Sequence, residues 1–315
     1  MNIHVSLPAA CLILIASNAH ADQPEDVHND VESATIGRSY SGAAGHDAYA
    51  RESIVAEKGS TQLGAGFAFM TSRAGLDGNP VYFTDVAMIR PYLRISIHDD
   101  VEISGEADIL AKQTVGENSV VQSGSLSVIY GLGSSYALYL QGTSGSLYNR
   151  KGNFLGGSVG LMARKKIEDF LMFEGDFSGG LTELTDESDR AKVDIAELSA
   201  GGKIVGMTPG RHTYGAGGWI GARFSFPVSE RGDLDSMSMS NARPMNVKPR
   251  VDVTLGGVVR MREWDLWMSY TILDRGDASA PETTLPILSG GFDQSQTTIG
   301  VTRRFGHETK STYGR

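Results

Sequence analysis

The arrangement nearest to a catalytic site is Ser96, His98 and Asp100, three residues spaced two apart. Residues at that spacing share one face of an extended strand, so His98 is a candidate base for a Ser96 nucleophile. These residues lie at a predicted turn over 98–100, and neither His212 nor His307 has a serine at the same spacing. We therefore predict no enzymatic activity and no catalytic residue.

Two other kinds of motif suggest binding chemistry. The acidic run at 185–189 (Thr-Asp-Glu-Ser-Asp) offers oxygen ligands to a hard cation, but it lacks the ordered ligand spacing of a calcium loop. We predict a solvated acidic segment there, no metal site and no cofactor. The tripeptide Arg-Gly-Asp occurs at 231–233 and again at 275–277, which suggests an adhesive surface. Gly-Asp is also ordinary turn chemistry, and this simpler interpretation is favoured.

A set of charged side chains, larger than these motifs, recurs at every second residue, at positions that alternate with those of the large apolar side chains. Such alternation places the charges together on one face of each strand. If that face lines a barrel, the interior has mixed charge, which suits a polar channel with little charge selectivity. The same charges could instead form structural ion pairs that narrow or close the interior. The predicted interior set is Arg90, Arg94, Glu102, Glu106, Asp108, Glu174, Asp176, Arg223, Arg250, Asp252, Arg260 and Arg304.

The predicted turn indicates which of these charges meet. If a three-residue turn joins two antiparallel strands, Arg90 lies opposite Asp108. Glu102 and Glu106 are then diagonal to Arg94 and within cross-strand reach of it.

Strands are needed to place the charged side chains on one face, and the sequence from residue 61 onward has the alternation typical of strands. Runs of about ten residues alternate apolar side chains with small, polar or charged ones, and no 3.6-residue period competes over a long window. The pattern predicts an all-β protein of about twelve strands. The predicted ranges are 61–70, 81–97, 101–111, 120–131, 134–142, 154–163, 169–180, 191–204, 212–226, 249–261, 264–273 and 294–305.

Connections between these runs alternate in length. Long ones are predicted at 71–80, 112–119, 143–153, 181–190, 227–248 and 274–293, and short ones at 98–100, 132–133, 164–168, 205–211 and 262–263. Antiparallel strands joined in this way have all long connections at one end and both termini at the other. Outer-membrane barrels have short periplasmic turns and long external loops, whereas a soluble sandwich has no reason to separate them.

The final run, Gln296–Phe305, alternates and ends in an aromatic residue. It resembles the carboxy-terminal signal of Gram-negative outer-membrane β-barrel proteins, in which an aromatic side chain, here Phe305, ends the last strand. Members of that group usually stop at the aromatic residue, whereas this chain continues over 306–315. The resemblance covers 61–305. It implies a transmembrane antiparallel β-barrel in the cell outer membrane, surrounded by outer-membrane lipid and assembled by the barrel-assembly machinery.

The remaining segments indicate export. Residues 1–21 contain an apolar run and end in Ala19-His20-Ala21, the pattern of a signal-peptidase site. Residues 22–60 hold eight acidic against three basic residues and few large apolar ones, which predicts a flexible acidic periplasmic arm. The barrel follows over 61–305, with a short tail at 306–315.

Composition excludes some classes of function. The formal net charge is -9, which disfavours binding to nucleic acid, and a single cysteine excludes a disulfide framework. Glycine is in excess, at 39 residues. Gly64, Gly66, Gly215, Gly217 and Gly221 fall on the charged parity, where small residues relieve crowding inside a curved wall.

The sequence therefore predicts an outer-membrane barrel whose leading function is the passive passage of small polar solutes. The alternative is a structural or surface-interaction barrel with a filled interior. In that case the long connections at 227–248 and 274–293 bind a partner.

Overall fold

A computed structural model describes residues 54–56, 58–76, 79–110, 121–146, 152–168, 170–186, 191–208, 214–234, 249–275 and 292–306. These residues form a closed antiparallel barrel. The twelve strands are β1 (Thr61–Leu76), β2 (Asn79–His98), β3 (Val101–Leu110), β4 (Val121–Gly131), β5 (Tyr136–Ser146), β6 (Gly152–Glu168), β7 (Leu171–Asp186), β8 (Ala191–Met207), β9 (Tyr214–Leu234), β10 (Arg250–Met261), β11 (Trp264–Arg275) and β12 (Phe292–Phe305). The predicted signal peptide, most of the predicted arm and the tail from residue 307 lie outside the described residues.

Closure of the barrel depends on the first and last strands. β1 pairs with β12 from Thr61 opposite Phe305 to Ala74 opposite Phe292, and each other pair of neighbours is consecutive in the chain. A closed ring pairs backbone N–H and C=O groups on both sides of every strand, which a membrane requires because lipid offers them no partner.

Thr61 and Phe305 lie at the same end, named here the terminal end, with the connections 99–100, 132–135, 169–170, 208–213 and 262–263. The opposite end is named the loop end.

The all-β class, the twelve strands and their antiparallel order confirm the prediction, but several strands are longer than predicted. β2 has 20 residues and β9 has 21, whereas about 9–11 residues cross a bilayer. Only the lipid-facing part of a strand needs alternating apolar side chains, so the sequence pattern ends before the strand does.

Some predicted connections are therefore wrong. Strand structure leaves only 77–78 between β1 and β2 and only 187–190 between β7 and β8, in place of the long connections predicted at 71–80 and 181–190. The gaps at 111–120, 235–249 and 276–291 are the longest between consecutive strands, and all three are at the loop end.

The two parities of the strands have opposite surroundings. Large apolar side chains such as Leu63, Leu140 and Phe224 lie on the outer surface, and Leu140 is 62% exposed. Polar side chains such as Glu102 and Thr302 are fully buried inside the ring. An apolar exterior around a polar interior is the arrangement of a transmembrane barrel and the reverse of a soluble one. The protein has the fold of an outer-membrane β-barrel.

Candidate functional site in the barrel interior

The interior face of the barrel carries the predicted charged set. All of its members alternate along their strands with the exposed apolar side chains, and most are buried. Glu106, Glu174, Asp176 and Arg223 keep partial exposure. The structure adds interior charges that the predicted set lacked, including Arg164, Glu197, Lys203 and Asp265.

Two arginines of β2 each pair with a carboxylate of the adjacent strand β3. Arg90 Nε lies 2.7 Å from Asp108 Oδ1, and Arg94 pairs with Glu102. Ser123 Oγ on β4 donates a hydrogen bond of 2.9 Å to Asp108 Oδ2. Because each ion pair joins neighbours on one side of the barrel, Arg90, Arg94, Glu102 and Asp108 are named the paired wall.

The register of β2 and β3 places Arg94 opposite Ser104, but the turn differs from the prediction. His98 pairs with Val101, because a bulge between Ser96 and His98 takes up one residue. The His98 side chain is 61% exposed, whereas Ser96 is buried and its hydroxyl donates to Glu102 Oε2 at 3.4 Å. Ser96 thus contacts a carboxylate and not a histidine base.

Arg164, Glu174 and Lys203 join β6, β7 and β8. Arg164 Nε donates to Glu174 Oε1 at 2.7 Å, and Lys203 Nζ lies 2.6 Å from Glu174 Oε2. Sequence reasoning missed Arg164 because 164–168 was predicted as a turn, whereas β6 continues to Glu168. Lys203 shares its parity with the buried residues Ser199 and Val205, and this alternation could have identified it.

Arg223 reaches furthest across the interior. From β9 its Nη2 donates to Ser178 Oγ on β7 at 2.6 Å and to the Tyr139 hydroxyl on β5 at 3.4 Å. The same nitrogen lies 3.3 Å from Asp176 Oδ2. β6, β7 and β8 lie between β5 and β9 in the ring, so the guanidinium extends over the wall. Together, Arg164, Glu174, Asp176, Lys203 and Arg223 are named the cavity wall.

The described residues line at least two cavities inside the barrel beside this wall. The first, of about 60 Å³, is toward the terminal end and is lined by Arg94 on β2 as well as by β6–β10, so it spans the interior. The second, of about 50 Å³, is toward the loop end and is lined mainly by hydroxyl groups and glycines, with Glu197, Arg223 and Arg250 as its charged residues. A cavity needs about 10–15 Å³ to hold one water molecule, so each has room for several. Arg223 lines both cavities and lies between them.

The other interior charges are also paired. Arg250 Nε lies 3.1 Å from Asp252 Oδ1, near the second cavity. At the terminal end, Asp265 lies between two arginines, with Arg260 Nε 3.0 Å from Oδ1 and Arg304 Nε 3.3 Å from Oδ2. Glu106 accepts a hydrogen bond of 3.4 Å from Ser125 on β4.

Aromatic side chains fill a further part of the interior. An apolar cluster of the terminal half contains Tyr92, Met172, Val205, Trp219, Val258 and Trp267. Tyr92 and Trp267 both bond to the Thr302 hydroxyl, the indole at 3.1 Å. Glycines on adjacent strands make room for the rings, since a Cβ at Gly64 would lie 2.5 Å from Tyr92. Some of the glycine excess thus serves aromatic packing.

The remaining motifs form no ligand site in the part of the chain that the structure describes. Arg231–Asp233 belongs to β9 and pairs with β8, so this tripeptide is strand and not loop. Of the second tripeptide only Arg275 is described, and of the acidic run only 185–186. No group of three or more potential metal ligands occurs in the described ranges, which also contain no helix long and apolar enough to cross a membrane.

Comparison with known proteins finds no matching family model and no matching curated protein. Among solved structures, the KdgM porin in complex with disordered oligogalacturonate has 11% sequence identity and a TM-score of 0.40, covering 77% of this chain and 99% of that chain. An outer membrane channel from Pseudomonas putida F1 has 13% identity and a TM-score of 0.44, covering 79% and 96%. The translocator domain of the autotransporter NalP from Neisseria meningitidis has 11% identity and a TM-score of 0.42, covering 84% and 98%. These distant likenesses transfer no substrate to this chain.

Proposed function

We propose that the barrel is a passive pore for small polar solutes. The observation that carries the proposal is a pair of cavities lined by charged side chains, one toward each end of the interior, with Arg223 between them. Lipid surrounds the apolar exterior, so the proposed route for a polar solute runs through the interior, from one cavity past Arg223 to the other.

The charges around the cavities favour solutes of low net charge. Cations Arg94, Arg164, Lys203 and Arg223 line the first cavity together with anions Glu174, Asp176 and Asp252. A ring of charges of a single sign would select ions of the opposite sign, whereas this mixed set attracts neither cations nor anions strongly. The cavity volumes restrict passage to small molecules and ions.

The proposal includes no chemistry on the solute. Ser96 and His98 are the residues at nucleophile and base spacing, and the hydroxyl of Ser96 is directed to Glu102. A hydrolase would need the base within hydrogen-bond reach of the nucleophile. We therefore propose a non-enzymatic barrel.

A second candidate is a filled barrel whose loop-end connections bind a partner. The apolar cluster around Trp219 and Trp267 favours this candidate, because packed rings occupy interior volume that a wide channel would need. Ion pairs on the paired wall have the same effect.

Single-channel recording in a planar bilayer separates the two candidates. The refolded chain is reconstituted, and its folded state is checked by heat-modifiable migration on a denaturing gel. Stable conductance steps support the pore, and a folded but silent barrel supports the filled structure.

Assembly requires a partner of its own. We propose that the barrel-assembly machinery recognises β12, because Phe305 ends this strand with its ring on the exposed outer face. Arg303 stacks over Phe305 and over Trp264, at 4.8 and 5.3 Å from the ring centroids, which fixes the ring at the terminal end.

A further inference from the structure

The chain before β1 crosses the terminal end of the interior. Gly59 N–H donates to Ser96 O at 2.8 Å, and Ser96 N–H donates to Ser60 O at 2.9 Å, beside the start of β1. Lys58 N–H then donates to Asp99 Oδ1 at 3.1 Å. Gly59 has a φ of 86°, a conformation that favours glycine and turns the chain away from the line of β1.

The next contacts are on strands further round the ring. Ala56 N–H donates to Glu102 Oε2 on β3 at 3.2 Å, and Ile54 N–H donates to Ser134 O between β4 and β5 at 3.3 Å. Glu102 is fully buried and also binds Arg94, so a carboxylate of the paired wall holds the segment. The described backbone therefore contacts the connection after β4 at Ile54 and β2 at Gly59 and Ser60.

Ile54 and Val55 are seated inside the barrel. Their side chains are 2% and 3% exposed and pack with Ile129, Ala137, Tyr139 and Met162 of β4–β6. Ile54 also lines the first cavity, together with the charged residues of the cavity wall. An apolar side chain thus lies where the polar cavity approaches the terminal end.

We infer that Ile54–Ala56 is a plug that sets the size limit of the pore, an inference that rests on the proposed function. Apolar constrictions exclude hydrated solutes because the solute must shed water that the wall does not replace. The segment before β1 acts as part of the pore, with Ile54 as the size-determining residue.

The test is single-channel conductance of the whole chain with both plug side chains removed, Ile54→Gly with Val55→Gly. These changes keep the backbone donors of the segment. Met88→Ala is the control, because Met88 is an equally buried interior side chain in a separate apolar cluster of Ala68, Met70, Met88 and Leu110. The conductance of a milder variant, Ile54→Ala, is also recorded. If the double variant does not fold, the conductance of Ile54→Ala tests the plug by the same comparison with the wild type.

We expect conductance to rise about twofold or more in the plug variants and to stay unchanged in the control. A silent wild type with conducting plug variants also supports the plug, but it overturns passive passage through the native barrel. If the wild type conducts and the folded plug variants have the same conductance, the plug is overturned and the proposed pore is supported. Silence of all folded variants overturns both proposals.

Discussion

The paired wall and the cavity wall are built from the same residue types but arrange them differently. On the paired wall, Arg90 and Arg94 bond to carboxylates of the neighbouring strand, and Glu102 is fully buried. On the cavity wall, Arg223 bridges β9 to β7 and β5, and the side chain of Asp176 is 21% exposed.

This difference shows that interior charge is not by itself evidence of a pore. Ion pairs between adjacent strands satisfy each other and stabilise the barrel, because both charges are desolvated together. Charges that border a cavity keep contact with solvent and can meet a solute. We therefore assign stability mainly to the paired wall, of which Arg94 also lines the first cavity, and permeation mainly to the cavity wall.

The largest expected effect is on stability, from removing one carboxylate of each wall. Asp108→Ala removes the carboxylate that pairs with the buried Arg90, away from both cavities, and should lower the free energy of unfolding by about 3–5 kcal/mol. Glu174→Ala should cost less, because Arg164 and Lys203 line the first cavity and can be hydrated there. Urea unfolding in lipid vesicles measures both. Equal losses would remove the distinction between the walls.

A second prediction tests how tightly the paired wall is packed. Gly64 lies against Tyr92, which is on β2 between Arg90 and Arg94, so Gly64→Ala forces the ring to move. We expect a loss of about 1–3 kcal/mol in the free energy of unfolding. Gly142→Ala is the matched control, since a Cβ there meets nothing within 4 Å. If both variants unfold at the same urea concentration, the interior beside this wall is not close-packed.

The third prediction, with the smallest expected effect, concerns permeation. Arg223→Ala should join the two cavities and raise single-channel conductance by about twofold. Arg90→Ala should leave conductance unchanged in the folded barrel, because Arg90 lines neither cavity. A rise with Arg90→Ala, or none with Arg223→Ala, would assign the route to the other wall.

Sequence alternation predicted the barrel because the lipid and the interior impose opposite demands on successive side chains. The alternation did not predict the full length of β2 and β9, because beyond the lipid these strands need no apolar outer face. It also identified Arg223 as an interior residue but not its reach to Tyr139, because parity describes the face of a strand and not how far a side chain extends.

The plug residues were also not predicted, because the segment that contains them, 22–60, has an acidic composition. Ile54 and Val55 belong to a segment predicted as a flexible arm from its charge, yet both are buried. Two apolar residues in a polar segment give little signal, and their seat on β4–β6 exists only once the ring is closed.

The central claim is that apolar side chains face lipid and charged ones are enclosed, and tryptophan quenching tests it most directly. The chain has three tryptophans, of which Trp264 is 44% exposed on the outer face, while Trp219 and Trp267 are buried inside. Single-tryptophan variants, made by Trp→Phe changes at the other two positions, are reconstituted in phospholipid brominated near the headgroup. We expect strong quenching when only Trp264 remains and little when only Trp267 remains. Strong quenching of Trp267 with little quenching of Trp264 would show that the faces are reversed and would contradict the pore.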